Sequence, residues 1–168
     1  MSVLTEQADL NVVIDQLKRR SDIDPRYITL LGLSQGGLVS ALTAASRPDD
    51  IASLILIYPA FSIPEMVRKQ WGEYSKIPLV NTLWGMRLGE KYYKDVWNID
   101  PYAVIGRFRG PVLILHGDRD RIVEQSVSDR AATIYNNAEY HVIPGGEHGF
   151  SGEALQQVKR YLQTFMKR

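Results

Sequence analysis

A serine occupies a position where tight strand-to-helix turns place nucleophiles. Ser34 lies in Gly32-Leu33-Ser34-Gln35-Gly36-Gly37, directly between a predicted strand and a predicted helix. Such a turn holds its serine in a strained conformation and lifts the hydroxyl clear of the sheet, and we expect side chains at Gly32 and Gly36 to clash there. The following helix would also bring free N–H groups and its positive dipole end to the site. Ser34 is therefore a candidate nucleophile, although a structural serine in a glycine-rich turn has the same spacing.

A serine hydroxyl needs a neighbouring base, and histidine is the usual one. The sequence has three histidines. His116 ends a predicted strand and His141 lies inside another, so we expect structural roles for both. His148 lies in a glycine-rich loop, residues 144–150, after the last predicted strand. Parallel sheets place their active sites in loops at the carboxyl ends of strands, so His148 is the predicted base.

The base in turn needs a carboxylate to orient it. Asp118 and Asp120 both follow the strand that ends at His116, and spacing alone does not decide between them. With either aspartate, the chain order is serine, then aspartate, then histidine. That order is typical of α/β-hydrolases and differs from the orders in chymotrypsin and subtilisin.

The elements around these residues predict an α/β fold. Apolar runs predict strands over residues 27–33, 53–58, 111–116 and 139–143, and amphipathic spacing predicts helices over 5–20, 38–47, 123–135 and 152–166. The first helix is expected to start at Thr5 and to bury Leu10, Val13, Ile14 and Leu17. Short buried strands alternating with helices predict a parallel sheet flanked by helices on both faces.

The regular pattern is interrupted between residues 61 and 108. This segment holds all three tryptophans together with several tyrosines, glycines and prolines. We predict an inserted subdomain of short helices or a hairpin. Residues 1–60 and 109–168 would then form the core of the fold.

Three motifs together resemble the α/β-hydrolase superfamily. The turn at Ser34 resembles its nucleophile elbow, residues 116–123 resemble its acid motif His-Gly-x-x-Asp-x-x-Val, and residues 146–150 resemble its histidine loop. The resemblance selects Asp120 over Asp118. It implies a serine hydrolase in which Ser34, Asp120 and His148 are catalytic and the Gln35 N–H binds the oxyanion. It implies no cofactor and no metal.

The chain is more closely similar to the cinnamoyl and feruloyl esterases, on residues 1–6, the elbow, residues 88–92 and residues 109–151. This similarity implies that residues 61–108 form a cap over the acyl pocket. It implies a small-molecule aryl or hydroxycinnamoyl ester as substrate, since aromatic rings bury well against one another. The aromatic residues could equally form the cap's own core. Alternatives on the same fold are a peptidase, a thioesterase, or an impaired remnant of a hydrolase.

One departure from the α/β-hydrolase pattern concerns the N-terminal part. Only one helix precedes the elbow strand, where the family has several strands, so we expect an N-terminally truncated fold. A second oxyanion donor would then come from outside these residues. The strand at 27–33 would become an exposed apolar edge, which predicts a homo-oligomer formed through it.

Composition narrows the partners and the location. Apolar residues make up 45% of the 168 residues, and 20 basic side chains nearly balance 19 acidic ones. A net charge of +1 gives no electrostatic reason to bind nucleic acid or a membrane. The absence of cysteine excludes disulfides and thiolate metal sites. Without a signal-peptide pattern or a long apolar run, we expect a soluble, cytoplasmic protein.

Overall fold

The structure, a computed structural model, describes residues 1–167 and contains every strand and helix that the sequence predicts. The helices are α1 (Val3–Lys18), α2 (Gln35–Ser46), α3 (Ile63–Trp71), α4 (Glu90–Lys94), α5 (Gln125–Ile134) and α6 (Gly152–Phe165). The strands are β1 (Thr29–Leu33), β2 (Ser53–Ile57), β3 (Val80–Leu83), β4 (Met86–Gly89), β5 (Val112–Gly117) and β6 (Ala138–Ile143). No helix within residues 1–167 has the length and apolar composition that a membrane span requires.

The main sheet has four parallel strands in the order β1-β2-β5-β6. Its register aligns Gly32 with Leu56, Leu56 with Ile114, and Ile114 with Tyr140. The central strands β2 and β5 are almost wholly buried, because helices cover both of their faces. The carboxyl ends of β1, β5 and β6 therefore lie along one edge of the sheet, each followed by a loop or a helix start.

Alternate residues of the central strands serve two separate cores. Leu54 and Leu56 belong to the larger cluster, which also holds apolar side chains of α1 and α2. Ile55 and Ile57 face the other side and pack in the cluster that includes α6. This alternation follows from the two-residue period of a strand, and it explains why these runs are apolar throughout.

The first helix begins earlier than the sequence predicts. Ser2, not Thr5, is its N-cap, and Thr5 instead closes a capping box with Ser2. The Ser2 hydroxyl also donates a 2.5 Å hydrogen bond to the carboxylate of Asp95. Ile14 is buried as predicted, but Val13 is 51% exposed, so the buried face is narrower than its apolar pattern indicates.

The strand before the elbow is shorter than predicted and lies at an edge of the sheet. Tyr27 belongs to a 3-10 turn, because Pro25 starts that turn and the Asp24 carboxylate accepts from the Arg26 N–H. Leu31 and Leu33 of β1 are 48% and 45% exposed. The expected apolar edge is therefore present in the structure, while association through it stays a prediction.

The segment between β2 and β5 contains both predicted kinds of element. It forms helices α3 and α4 and an antiparallel hairpin of β3 and β4. The hairpin turns at Trp84 and Gly85, whose φ angles of 48° and 79° are both positive, as a type I′ turn requires. Within the segment, the rings of Trp71 and Tyr93 pack edge to face at 5.8 Å. Some of its aromatic residues therefore form a core, and its role as a cap stays a prediction.

Candidate active site

Ser34 joins β1 to α2 in a conformation that few residues adopt. Its φ of 51° and ψ of −122° lie outside the favoured regions for a residue with a side chain. A Cβ atom on Gly32 would lie 2.2 Å from the carbonyl oxygen of Gly36, so the turn needs glycine at position 32. The geometry is the strained strand-to-helix turn that the sequence predicts.

The expectation for Gly36 is wrong. A Cβ atom there meets nothing within 4 Å, because that face of the turn is open. The second glycine that the packing requires is Gly37, whose added Cβ would lie 2.8 Å from the Cβ of Pro59. The helix therefore approaches the loop after β2 through Gly37.

The structure brings Ser34, His148 and Asp120 together. His148 Nε2 lies 3.0 Å from Ser34 Oγ, and His148 Nδ1 lies 2.8 Å from Asp120 Oδ2. Asp120 follows β5 and His148 follows β6, so neighbouring strand ends deliver both residues to the elbow. A carboxylate only accepts hydrogen bonds, so Nδ1 carries the proton and Nε2 is free to accept from the serine hydroxyl. This tautomer is the one that a general base needs.

The Asp120 carboxylate is completely buried and fully bonded. Its second oxygen accepts from the N–H groups of Ile122 at 2.8 Å and Val123 at 2.9 Å. Burial by itself raises the pKa of Asp120, but the hydrogen bonds from Val123, His148 and Ile122 together hold that pKa below its ordinary value. Helix α5 begins at Gln125, two residues after the predicted start.

His141 and Asp118 lie outside this hydrogen-bond chain, whereas His116 lies beside it, with Nε2 3.5 Å from Asp120 Oδ2. His116 is buried, with Nδ1 2.7 Å from the Ser128 hydroxyl and Nε2 2.9 Å from the carbonyl oxygen of Val123. His141 bonds Glu139 and stacks on Tyr161. The exposed Asp118 accepts from the Gly145 N–H and so holds the loop that carries His148.

The structure places Tyr58 beside His148, a contact that the sequence did not indicate. The ring of Tyr58 lies 4.5 Å from the imidazole of His148, and it also contacts Phe150. Tyr58 is 7% exposed and has a positive φ of 38°, an unusual angle for a tyrosine. Its burial, with a smaller contribution from Asp120, raises the pKa of its phenol. Its position directly after β2 could have indicated this contact, because the carboxyl ends of parallel strands meet at the same edge of the sheet.

The backbone N–H of Gln35 lies next to Ser34, while its side chain bonds residues of other helices. Within residues 1–167, no acceptor reaches the Gln35 N–H, which begins α2 beside Ser34. Its side-chain nitrogen donates to the Glu6 carboxylate at 2.9 and 3.0 Å, and its oxygen accepts from the Tyr92 hydroxyl at 2.7 Å. Glu6 and Tyr92 lie in two of the stretches that resemble the feruloyl esterases, residues 1–6 and 88–92, but the sequence pattern assigns neither of them a role.

A cavity of about 120 Å³ opens beside Ser34 and Gln35. Its apolar lining comes mainly from the segment between β2 and β5 and includes Ile63, Met66, Val67, Leu83, Trp84 and Tyr93. Gln70 and Tyr92 add polar groups. This volume is somewhat below that of an apolar cavity of about 150 Å³ that holds benzene, so the space is on the scale of one aromatic ring. Across residues 1–167, the His, Asp and Glu side chains form no group of three that could hold a metal ion.

Comparison with known proteins decides the family. The model of the prolyl oligopeptidase family matches residues 4–168. The chain belongs to this family. The predicted α/β-hydrolase fold is confirmed.

Two solved structures of one protein resemble the chain closely. Est1E from Butyrivibrio proteoclasticus superimposes with a TM-score of 0.90 at 29% identity, over 99% of this chain and 70% of that one. The structure of Est1E with ferulic acid bound gives a TM-score of 0.91 at 29% identity, over 99% and 68%.

Two curated relatives also match most of the chain. An uncharacterized protein of Mycobacterium tuberculosis is 31% identical over an alignment of 166 positions, which covers 92% of this chain and 51% of that protein. A serine hydrolase of Homo sapiens is 23% identical over an alignment of 163 positions, which covers 84% of this chain and 55% of that protein. The chain thus spans about half the length of the curated relatives that it matches.

Proposed function

We propose that the protein is a serine carboxylic-ester hydrolase that works through an acyl-enzyme. The observation that carries the proposal is the hydrogen-bond chain from Ser34 through His148 to the buried Asp120. Its order of hydroxyl, imidazole and carboxylate is the arrangement that makes a serine nucleophilic. The strained turn at Ser34 supports the same role, because backbone strain of this kind concentrates at functional sites.

The first half of the reaction acylates Ser34. Ser34 Oγ attacks the ester carbonyl as His148 Nε2 takes its proton, and Asp120 stabilises the imidazolium that results. The carbonyl oxygen becomes an oxyanion, to which the Gln35 N–H donates. The C–O bond to the alcohol then breaks, and His148 returns its proton to the leaving oxygen.

The second half releases the acid. Water attacks the acyl-enzyme carbonyl and gives a proton to His148 Nε2, which passes it to Ser34 Oγ as the ester bond to the serine breaks. The products are the carboxylic acid and the free enzyme. The Gln35 N–H again faces the developing negative charge.

An aryl or hydroxycinnamoyl group is the proposed acyl half. The apolar cavity beside Ser34 supports this choice, since its lining includes the ring of Trp84 and the aliphatic side chains of Ile63 and Leu83. Est1E, for which a structure with ferulic acid is known, has 29% identity over nearly the whole chain. We therefore propose feruloyl-type esters, with residues 61–108 as the cap over the acyl group.

A fluorophosphonate probe tests the nucleophile. We expect the protein to be labelled, and Ser34→Ala to abolish the labelling. Ser46→Ala is the matched control, because Ser46 is an exposed serine at the end of the same helix. Labelling that survives Ser34→Ala would contradict the proposal, and a folded protein without labelling would favour an impaired remnant.

A peptidase is the second candidate, because the family model carries the prolyl oligopeptidase description. The two candidates differ in the bond that is cleaved, so one acyl group should be offered as a 4-nitrophenyl ester, a thioester and a 4-nitroanilide. We expect the ester to react fastest relative to its uncatalysed rate. A larger rate enhancement on the anilide would favour the peptidase, and one on the thioester would favour a thioesterase.

A further inference from the structure

A second cavity lies beside His148, apart from the apolar cavity next to Ser34. It has a volume of about 280 Å³ and is lined by Arg119, Arg121, Ile122, Glu147 and His148. Ile122 lines both cavities, whereas Ser34 lines only the apolar one and His148 only the second. The two cavities therefore meet at the hydrogen-bonded pair of Ser34 and His148.

The chemistry of ester cleavage decides which half of a substrate faces the second cavity. The alcohol oxygen must receive its proton from His148 Nε2, so it has to lie within hydrogen-bond reach of that atom. The acyl half extends to the other side of Ser34, where the apolar cavity lies. The alcohol half therefore occupies the cavity that His148 lines.

This alcohol-side cavity has two guanidinium groups without partners. Arg119 and Arg121 are exposed, and neither forms an ion pair with any of residues 1–167. By contrast, Arg47 pairs with both Asp15 and Asp50. Glu147 contributes one negative charge to the same lining, so the charged side chains of the lining sum to one net positive charge.

We infer that the alcohol half of the substrate carries a carboxylate, which Arg119 and Arg121 bind beside His148. The planar guanidinium matches a carboxylate with two parallel hydrogen bonds. Two unpaired arginines next to the proton donor therefore select esters of hydroxy acids over esters of neutral alcohols. This inference rests on the proposed esterase function and adds the chemical class of its leaving group.

Two matched esters test the inference. Both carry the same 4-hydroxycinnamoyl group, one on the hydroxyl of glycolate and the other on the hydroxyl of glycolamide, so they differ only in one negative charge. We expect Arg119→Gln and Arg121→Gln each to lower the glycolate-to-glycolamide ratio of kcat/KM about fivefold, as exposed ion pairs allow. The ratio for the unmodified protein should also fall as salt rises, because salt screens exposed charges.

Two further variants complete the test. Arg160→Gln removes an exposed charge from α6 and should leave the ratio unchanged. Glu147→Gln removes the one negative charge of the cavity and should raise the ratio. If the arginine substitutions leave the glycolate-to-glycolamide ratio of kcat/KM unchanged, the inference is overturned. The esterase proposal still stands in that case if the glycolamide ester is hydrolysed. Turnover of neither ester overturns the inference together with the proposed substrate.

Discussion

The Tyr92 hydroxyl donates a 2.7 Å hydrogen bond to the side-chain oxygen of Gln35. The amide orientation follows from Glu6, whose carboxylate accepts from the Gln35 nitrogen and cannot donate. The residue whose backbone N–H faces the proposed oxyanion is thus tied to α1 on one side and α4 on the other. Tyr92 also lines the apolar cavity, but its hydroxyl bonds Gln35, so we treat that hydroxyl as a positioning group for the oxyanion donor.

Tyr92→Phe should lower kcat about tenfold, a fraction of the loss of roughly 10²–10³ that follows removal of an oxyanion donor. The decrease should be equal for an acetyl ester and a hydroxycinnamoyl ester, since both form the same oxyanion. Tyr140→Phe is the matched control, because it removes a hydroxyl that bonds Asp129 away from the site. A loss confined to KM of the aromatic ester would instead make Tyr92 a substrate contact.

Trp84→Asn should separate the fold of the hairpin from its contact with substrate. Asn tolerates the positive φ of this turn better than other side chains, so the hairpin is retained. The variant loses the ring that lines the apolar cavity. We expect KM for a hydroxycinnamoyl ester to rise about tenfold, the equivalent of roughly 1.4 kcal/mol. Steady-state kinetics with an acetyl ester should show little change, and an equal loss on both esters would contradict the proposed acyl site.

Asp120→Asn should lower kcat about 10⁴-fold at neutral pH, as the loss of the orienting carboxylate does in a serine protease. The amide can present an N–H to His148, which favours the tautomer with its proton on Nε2 and leaves no base for Ser34. Asp118→Asn tests the choice between the two aspartates, because the Asp118 carboxylate accepts from the Gly145 N–H and not from His148. A greater loss from Asp118→Asn than from Asp120→Asn would reverse the assignment.

His116 should make the folded protein sensitive to mild acid. Burial, the main cause, lowers the pKa of His116 below its ordinary value of 6.5. As the pH falls through about 6.5, His116 is therefore protonated in the unfolded chain but stays neutral in the folded protein. The stability contributed by neutral His116 is present above that pH and is lost as the pH falls towards the folded pKa, by at most about 1.4 kcal/mol per pH unit.

Urea unfolding between pH 7.5 and 5.5 measures this loss. His116→Gln keeps a donor for the carbonyl oxygen of Val123 and has no proton to gain, so its free energy of unfolding should fall less over the same range. The two proteins are compared by the change in their free energy of unfolding with pH, because the substitution also changes the packing by an amount that does not depend on pH. Equal slopes for the two proteins would show that His116 does not carry the effect.

The apolar edge of β1 should cause the 168-residue chain to associate. Leu31 and Leu33 are each nearly half exposed on an edge strand, which can pair with a second chain. Lysine at both positions should shift the chain to a monomer, since charged side chains block edge pairing. Size-exclusion chromatography with light scattering measures the change, and a clean monomer before any substitution would contradict the prediction.

Local pattern was sufficient for the elements and for two of the three residues in the hydrogen-bond chain. The apolar runs of β2 and β5 and the glycine-rich turn at Ser34 are short-range features, because strand period and turn sterics act within a few residues. His148 followed from its position in a loop after the last strand. Element ends were less accurate, because caps such as Ser2 set them.

Asp120 lay beyond the reach of spacing alone. Asp118 lies two residues away in the same loop, and only a resemblance to known motifs separated the two aspartates. In the fold, Asp118 turns to the Gly145 N–H, while Asp120 is buried against His148. The difference arises because β6, which precedes His148, pairs with β5 in the sheet, and a local sequence pattern does not show which strands pair.

The order of motifs and elements was thus readable from the chain itself: a serine turn, an acidic loop and a histidine loop, each after a buried strand. Only the tertiary structure decided what surrounds them, namely the Tyr58 ring against His148, the link from Glu6 through Gln35 to Tyr92, and the two arginines that line a cavity with His148. The physical reason is that periodicity and turn sterics are local, whereas these contacts join residues far apart in sequence that meet only when the strands pair in one register.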